Sequence, residues 1–432
     1  MESRINMMNN TYQVFMERKG METRQRSSEN YNREELECFG ITVKSESKMI
    51  IKEKDIVFVI ASKSSRVVKM LKALRNRGIR VHVFLRHLDE ELFLEDIINY
   101  SDSVILYSHS KAVEHLMKTY KPKLVHIFCC YQYHEAELII RMHVAKVILD
   151  NYDGYGGFVS VWNKSENALR RTKQERYCLE NADGLTCRSF ETQYNKRHMG
   201  YQFKGERILF LDYYDSQIEF KLKEGGRKGE AENRIAFFYG GGIPDLREEN
   251  ESPFACMKEF ITMIEEKKCD FYLCARCRDT ERLKDYRELE RTHQYFHFYE
   301  NVPYSRMRKI IAECDYAIIP VDEKYKVYVD ENYDDGRYFG VKYKYGCTNK
   351  FFDPMEAGIP IIASSFDMVG RCLEKQSTLI YSTLQMLDMQ FLDLVDNKEC
   401  YKYSASQNTK NFTMEANIDR LITLYNGVRS NI

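Results

Sequence analysis

Neither sign of charge predominates in this chain of 432 residues: Lys and Arg number 65, and so do Asp and Glu. Global charge therefore gives no reason to expect nucleic acid or an anionic membrane as a partner, and any anionic ligand must be held by a local site. Long apolar runs are also missing. Candidates such as 124–131, "LVHIFCCY", have the length of a strand, well short of the ~20 residues that cross a bilayer. The opening "MESRINMMNNTYQ" has no apolar stretch of the kind a secretion signal carries. The expectation is a cytoplasmic protein, with peripheral membrane contact left open. Cysteine is present but scattered. The one CxxC, Cys274 to Cys277, has no second ligand pair at zinc spacing, so no metal site is expected and reduced thiols are the simpler reading.

Hydrophobic content of 44% and charged content of 30% are ordinary for a globular protein. The length allows two or three domains with separate cores. Residues 1–48 are polar and lack apolar periodicity, and are expected to be a non-catalytic extension. From there to residue 220 strand-like and helix-like segments alternate. "DIVFVIA" is a β-branched strand; "SRVVKMLKALRNRG" repeats apolar residues at helical spacing until Gly78 stops it; "IRVHVFL", "SDSVILYS", "LVHIFCC", "KVILD" and "ADGLTCRS" continue the series. The segment 221–233, "KLKEGGRKGEAEN", reads as a linker. A second alternating series spans 234–410, and 411–432 holds a terminal helix. Such alternation predicts parallel sheets wrapped by helices, with ligands beyond the carboxyl ends of the strands. Two such units facing across a cleft suggest a two-substrate enzyme, because small-molecule sites concentrate at domain interfaces.

Two stretches carry chemistry. Gly240, Gly241 and Gly242 follow the strand "RIAFFY"; glycines there let a backbone approach a ligand and offer N–H groups to phosphate, although a plain tight turn is an equal reading. The pattern is neither a P-loop nor a dinucleotide turn. Further on, "NKFFDPMEAGIPIIA" (349–363) sets Lys350, Asp353 and Glu356 before a Gly-x-Pro stop and a buried strand. Either Thr348 or Asn349 caps a helix with Lys350 and Asp353 one turn apart, or Asp353 is itself the cap, with Pro354 at the first helical position. Local sequence leaves both open.

"KFFDPMEAGIPIIAS" resembles the K-x-F-E-x-M-A-x-G-x-P-V-I-A-S element of nucleotide-sugar glycosyltransferases of the GT-B fold, family 4 type. "FFYGGG", "FHFYENVPYSRMRKIIAECDYAIIP" and "ERYCLENADGLTCRS" fall in the family's order, over roughly residues 54–428. The resemblance implies an α/β, GT-B architecture: two Rossmann-like doubly wound domains facing across a cleft, the last helix returning to the N-terminal domain. It implies transfer of a sugar from a nucleoside-diphosphate sugar, the substrate, to a glycan, lipid-linked or other hydroxyl acceptor, without cofactor and with retained anomeric configuration. Asp353 stands at the ribose-binding carboxylate, one methylene shorter than the family's Glu. Lys350 falls near the diphosphate, Gly240–Gly242 beside the donor phosphates, and Val302 where backbone pairs with the base. Glu356 replaces a small residue and is expected to cap the helix or face solvent.

The departures are specific. Tyr345 occupies the position of a second, sugar-side Glu. Arg247 is the sole cation close after the glycine loop, so Arg276 and Arg278, at the next strand end, are candidate substitutes. His126 matches the first His of the family's D-V-V-H-x-H strand, and Phe128 replaces the second. His126 and Asp153 are the candidate catalytic residues, with Asp150 in the same strand-end loop, because an imidazole or carboxylate there can act as base or orient an acceptor hydroxyl. No Asp-x-Asp lies at a suitable strand end, so metal-independent transfer is expected, the leaving charge being met by cations and backbone N–H groups. The alternatives are a degenerate GT-B protein that binds nucleotide or a partner without turnover, and an epimerase or hydrolase on the same scaffold.

Overall fold

A computed structural model describes residues 41–43, 50–62, 64–86, 93–130, 132–155, 165–215, 234–246, 257–275, 277, 279–319, 345–346, 349–364, 378–381 and 384–430. In the N-terminal domain the strands are β1 (Ile41–Val43), β2 (Ile56–Ile60), β3 (Val81–Arg86), β4 (Ser103–Tyr107), β5 (Leu124–Phe128), β6 (Lys146–Asn151), β7 (Gly184–Cys187) and β8 (Glu206–Leu209). They form one sheet in the order β1-β4-β3-β2-β5-β6-β7-β8, parallel except for β1, which runs antiparallel to β4. The helices are α1 (Ser65–Asn76), α2 (Leu94–Tyr100), α3 (Ser110–Tyr120), α4 (His134–Met142), α5 (Glu166–Asn181) and α6 (Glu191–His198). Every residue of β2 is 0% exposed. Burial on both faces is why this strand reads as an unbroken apolar run instead of an alternation.

The C-terminal domain has six parallel strands: β9 (Ala236–Gly241), β10 (Asp270–Ala275), β11 (Phe296–Glu300), β12 (Tyr316–Ile319), β13 (Ile361–Ser364) and β14 (Thr378–Tyr381), in the order β11-β10-β9-β12-β13-β14. Its helices are α7 (Met257–Glu266), α8 (Thr280–Thr292), α9 (Tyr304–Ala312), α10 (Phe352–Glu356), α11 (Leu384–Met389), α12 (Phe391–Asp396) and α13 (Lys398–Asn408). The last helix, α14 (Met414–Ser430), returns to the N-terminal sheet: its Ile418, Leu421, Tyr425 and Val428 are buried in one core with Phe58, Val67 and Leu71. Gly184 of β7 admits it, since a Cβ there would lie 3.1 Å from Val428. This is the two-domain GT-B arrangement, the domains facing across a cleft.

Three features were not visible in the sequence. Residues 41–43, inside the stretch expected to be a mere extension, supply an edge strand; three residues are too few to show a period. β8 lies at the other edge, partly exposed, so it has no apolar run to mark it. The three short helices α11–α13 fill the stretch before α14. The expected linker, 221–233, lies outside the described residues.

Candidate functional site

The glycine loop and the Lys–Asp helix meet at the carboxyl edge of the second sheet. β9 and β10 are in register to their last residues, Gly240 opposite Cys274 and Gly241 opposite Ala275. Gly241 has φ +152°, a conformation that favours glycine. A Cβ at this position would sit 3.0 Å from Lys350 Nζ and closer still to Lys350 Cε. The lysine thus crosses directly over the loop, with Nζ 5.5 Å from the centre of the Tyr239 ring, while the Tyr239 hydroxyl donates to the Gly242 carbonyl at 2.6 Å.

A 3₁₀ turn, Asn349–Phe351, leads straight into α10. The backbone at Phe351 is already helical and no side chain caps it, so Asp353 lies within the helical segment and is not its cap. Lys350 and Asp353 therefore stand about one turn apart, as in the first of the two sequence readings. Gly358, at φ +68°, ends the helix as expected: its N–H donates to the Met355 carbonyl at 3.0 Å and that of Ile359 to the Pro354 carbonyl at 3.2 Å. Val302 is half-buried on the loop after β11, where the Asn301 N–H donates to the Ala275 carbonyl at 2.8 Å. That bond holds the loop against the end of β10. Arg247, Arg276 and Arg278 lie outside the described residues.

One expectation about this helix needs correction. Glu356 does not face solvent. Its side chain is buried, it accepts from Arg308 of α9, and burial pushes its carboxyl up to about 7 against the pull of Arg308 and Lys69. Tyr345, at the position of the family's sugar-side Glu, is buried and turned into the N-terminal domain. Its carbonyl accepts from the Phe190 N–H at 2.8 Å, and its ring lies 5.6 Å from that of Tyr194 on α6.

Across the cleft, polar residues gather at the carboxyl ends of β2, β6, β7 and β8. Arg66, in the first turn of α1 after β2, is 1% exposed. It pairs with Asp150 at 3.0 Å and Asp212 at 3.2 Å, and donates to the Leu211 carbonyl. Burial opposes its cation, but the two carboxylates overcome that and raise its pKa. Arg188, just past β7, joins Asp212 at 3.4 Å to Asp153, and its guanidinium carbon lies 3.9 Å from the centre of the Tyr152 ring. Asp153 is the least buried member of this network, with its side chain 14% exposed. Asp150 is closed in, accepting from the Thr186 hydroxyl at 2.6 Å.

His126 is not placed at the cleft. It is 0% exposed in the middle of β5, with Nδ1 2.8 Å from the Tyr425 hydroxyl and Nε2 3.1 Å from the Thr186 hydroxyl. Burial, then the charge of Arg66, holds it well below the ordinary histidine range. Both nitrogens are engaged inside the protein, so a role as acid or base toward substrate has no geometric support. The residues that sequence reasoning missed are Arg66, Arg188 and Asp212. A basic residue opening a helix, or one beyond a strand end, looks like any surface charge until the fold buries it.

No protein-family model and no curated protein sequence matches the chain. Solved structures do. A sucrose-phosphate synthase from Thermosynechococcus elongatus shares 13% identity at a TM-score of 0.59, over 88% of this chain and 100% of that one. HepE of Anabaena, solved with UDP-glucose, shares 11% at 0.57, over 87% and 98%. A protein from Listeria monocytogenes assigned as a UDP-N-acetylglucosamine 2-epimerase shares 13% at 0.53, over 87% and 97%. At these identities the likeness is one of fold, and the fold that this chain shares with them is GT-B.

Proposed function

We propose that the protein is a glycosyltransferase that moves a sugar from a nucleoside-diphosphate sugar to a hydroxyl of a glycan, lipid-linked or other acceptor. The observation that carries this reading is Lys350 lying across Gly241 at the carboxyl edge of the second sheet, with Asp353 one turn further on. In the first step the diphosphate leaves the anomeric carbon. Lys350 Nζ and the backbone N–H groups of the glycine loop meet the charge that develops on it, with no metal assigned a part. Asp353 accepts hydrogen bonds from the ribose hydroxyls; its shorter side chain brings the ribose closer or bridges to it through water. Val302 borders the base. On the opposite wall Asp153 accepts from, and orients, the acceptor hydroxyl, while Arg188 holds that carboxylate directly and Arg66 steadies Arg188 through Asp212. Retention at the anomeric carbon follows the family resemblance. One neighbour of the same fold, HepE, solved with UDP-glucose, makes UDP-sugars the first donors to test.

Calorimetric titration with UDP-, GDP- and ADP-sugars tests the reading. A UDP-sugar is expected to bind the native protein and to lose affinity in Lys350→Ala and Asp353→Ala; unchanged binding in both folded variants would remove the donor site. Tyr345 supports a second reading. Because the residue at the sugar-side position is turned into the N-terminal domain, a GT-B protein that binds nucleotide without turnover remains the alternative. Donor binding with neither transfer nor hydrolysis would establish that one.

A further inference from the structure

The short connection from β7 into α6, residues 188–191, touches both walls of the cleft. The Arg188 guanidinium pairs with the Asp153 carboxylate. Glu191, the first residue of α6, accepts from the Gly154 N–H at 2.5 Å, and a Cβ on Gly154 would lie 3.1 Å from the same carboxylate oxygen. Between these two, the Phe190 N–H donates to the Tyr345 carbonyl at 2.8 Å. The N–H groups that open a helix have no partner within it, and no side chain caps α6. One of them is met here by a carbonyl of the C-terminal domain.

The Tyr345 side chain docks on the same helix. Its ring lies 5.6 Å from that of Tyr194 and 6.4 Å from that of His198, residues one turn apart on α6. Tyr194 and Tyr345 form a small apolar cluster of their own, with Phe190 and Met199 packed against it. Tyr345 precedes Lys350 by five residues. The next N–H of the Asp153 turn, that of Tyr155, donates to Glu175 of α5 instead, so Gly154 is the point at which α6 acts on the turn.

We propose that Tyr345 is a positioning residue: docked on α6, it fixes the segment that leads to Lys350 against the turn that presents Asp153. A tyrosine at the position of the family's sugar-side Glu then works by holding α6, not by touching the sugar. The tie stands on these contacts alone, whereas its use in catalysis rests on the proposed donor and acceptor roles of Lys350 and Asp153.

Hydrogen exchange resolved to single amides tests the tie in the full chain, first without ligand. Tyr345→Ala is expected to speed exchange about tenfold at the Phe190 and Gly154 amides, while Tyr155, held by Glu175, changes less than about threefold. Tyr345→Phe keeps the ring and should exchange as the native protein does. Tyr194→Leu should act as Tyr345→Ala does, and it decides the matter if that variant fails to fold. In a Glu191→Ala background, Tyr345→Ala should add nothing further at Gly154. A change confined to α6 and the Tyr345 segment, a Phe variant as mobile as the Ala variant, or a further increase in Glu191→Ala would each overturn the proposal. UDP-glucose then separates the tie from its use, because engaging Lys350 restrains the segment that follows Tyr345. If UDP-glucose binds and slows exchange at Gly154 in the native protein but not in Tyr345→Ala, tie and donor role both hold. Binding that leaves Gly154 unchanged would overturn the positioning role. If the ligand-free pattern is as described and UDP-glucose does not bind, the donor role fails while the tie stands.

Discussion

Lys350 lies across Gly241, filling the space where any other residue would carry its Cβ. The lysine and the loop are some 110 residues apart in the chain, as the numbering shows. They are brought together because β9 ends, and the segment leading to β13 begins, at the same edge of one parallel sheet.

Replacing Gly241 by Ala puts a methyl group against Lys350 and forces an L-residue to φ +152°. Both effects act at the proposed phosphate subsite. UDP-sugar affinity is expected to fall about 10- to 100-fold, the scale of one charge-assisted hydrogen bond. Calorimetry is the check, and circular dichroism shows whether the fold persists. Binding equal to native would mean that the lysine and the loop do not act on one ligand.

Asp153→Asn keeps the size of the side chain but removes the charge that pairs with Arg188. If Asp153 orients the acceptor as proposed, turnover should fall by about 100-fold or more, while the donor Kd stays within about twofold. A variant that instead lost donor affinity would move Asp153 out of the acceptor role.

His126 makes a pH prediction. Its folded pKa is depressed below the unfolded value of 6.5 by burial and then by Arg66. As pH falls through 6.5 the unfolded chain takes up a proton that the folded protein refuses, so the stability from the neutral imidazole is present above 6.5 and lost below it. Melting temperature should therefore drop with pH from about 6.5 downward, and His126→Asn should flatten that limb. The variant should also be less stable by about 2–4 kcal/mol at pH 8, because Tyr425 loses its partner. An unflattened limb would show that other groups control the acid side.

Arg66→Met leaves Asp150 and Asp212 facing each other without their shared cation. Urea unfolding should show a loss of about 3–5 kcal/mol, the cost of breaking one side of a buried ion network. Adding Asp150→Asn should recover part of the loss, since it removes one stranded charge. If the double variant is weaker than Arg66→Met alone, the Asp150 contact with Thr186 matters more than the ion pair.

The sequence by itself determined what depends on near neighbours in the chain. Strand and helix periods identified most of the elements in the α/β alternation, and Gly358 and Pro360 ended α10, while the start of that helix stayed open between two caps. The resemblance in "KFFDPMEAGIPIIA" pointed to the fold that the structure has. Burial and cross-domain contact were decided only by the tertiary structure. His126 and Glu356 are alike in sequence as polar residues near a motif, yet one is closed into the N-terminal core by Tyr425, from the far end of the chain, and the other is buried against Arg308. Arg66 and Tyr345 likewise take their roles from partners more than 80 residues away in sequence for Arg66 and about 150 for Tyr345. The physical reason is that a side chain's charge state and access to ligand are set by the dielectric and the partners around it, which the fold assembles from distant segments.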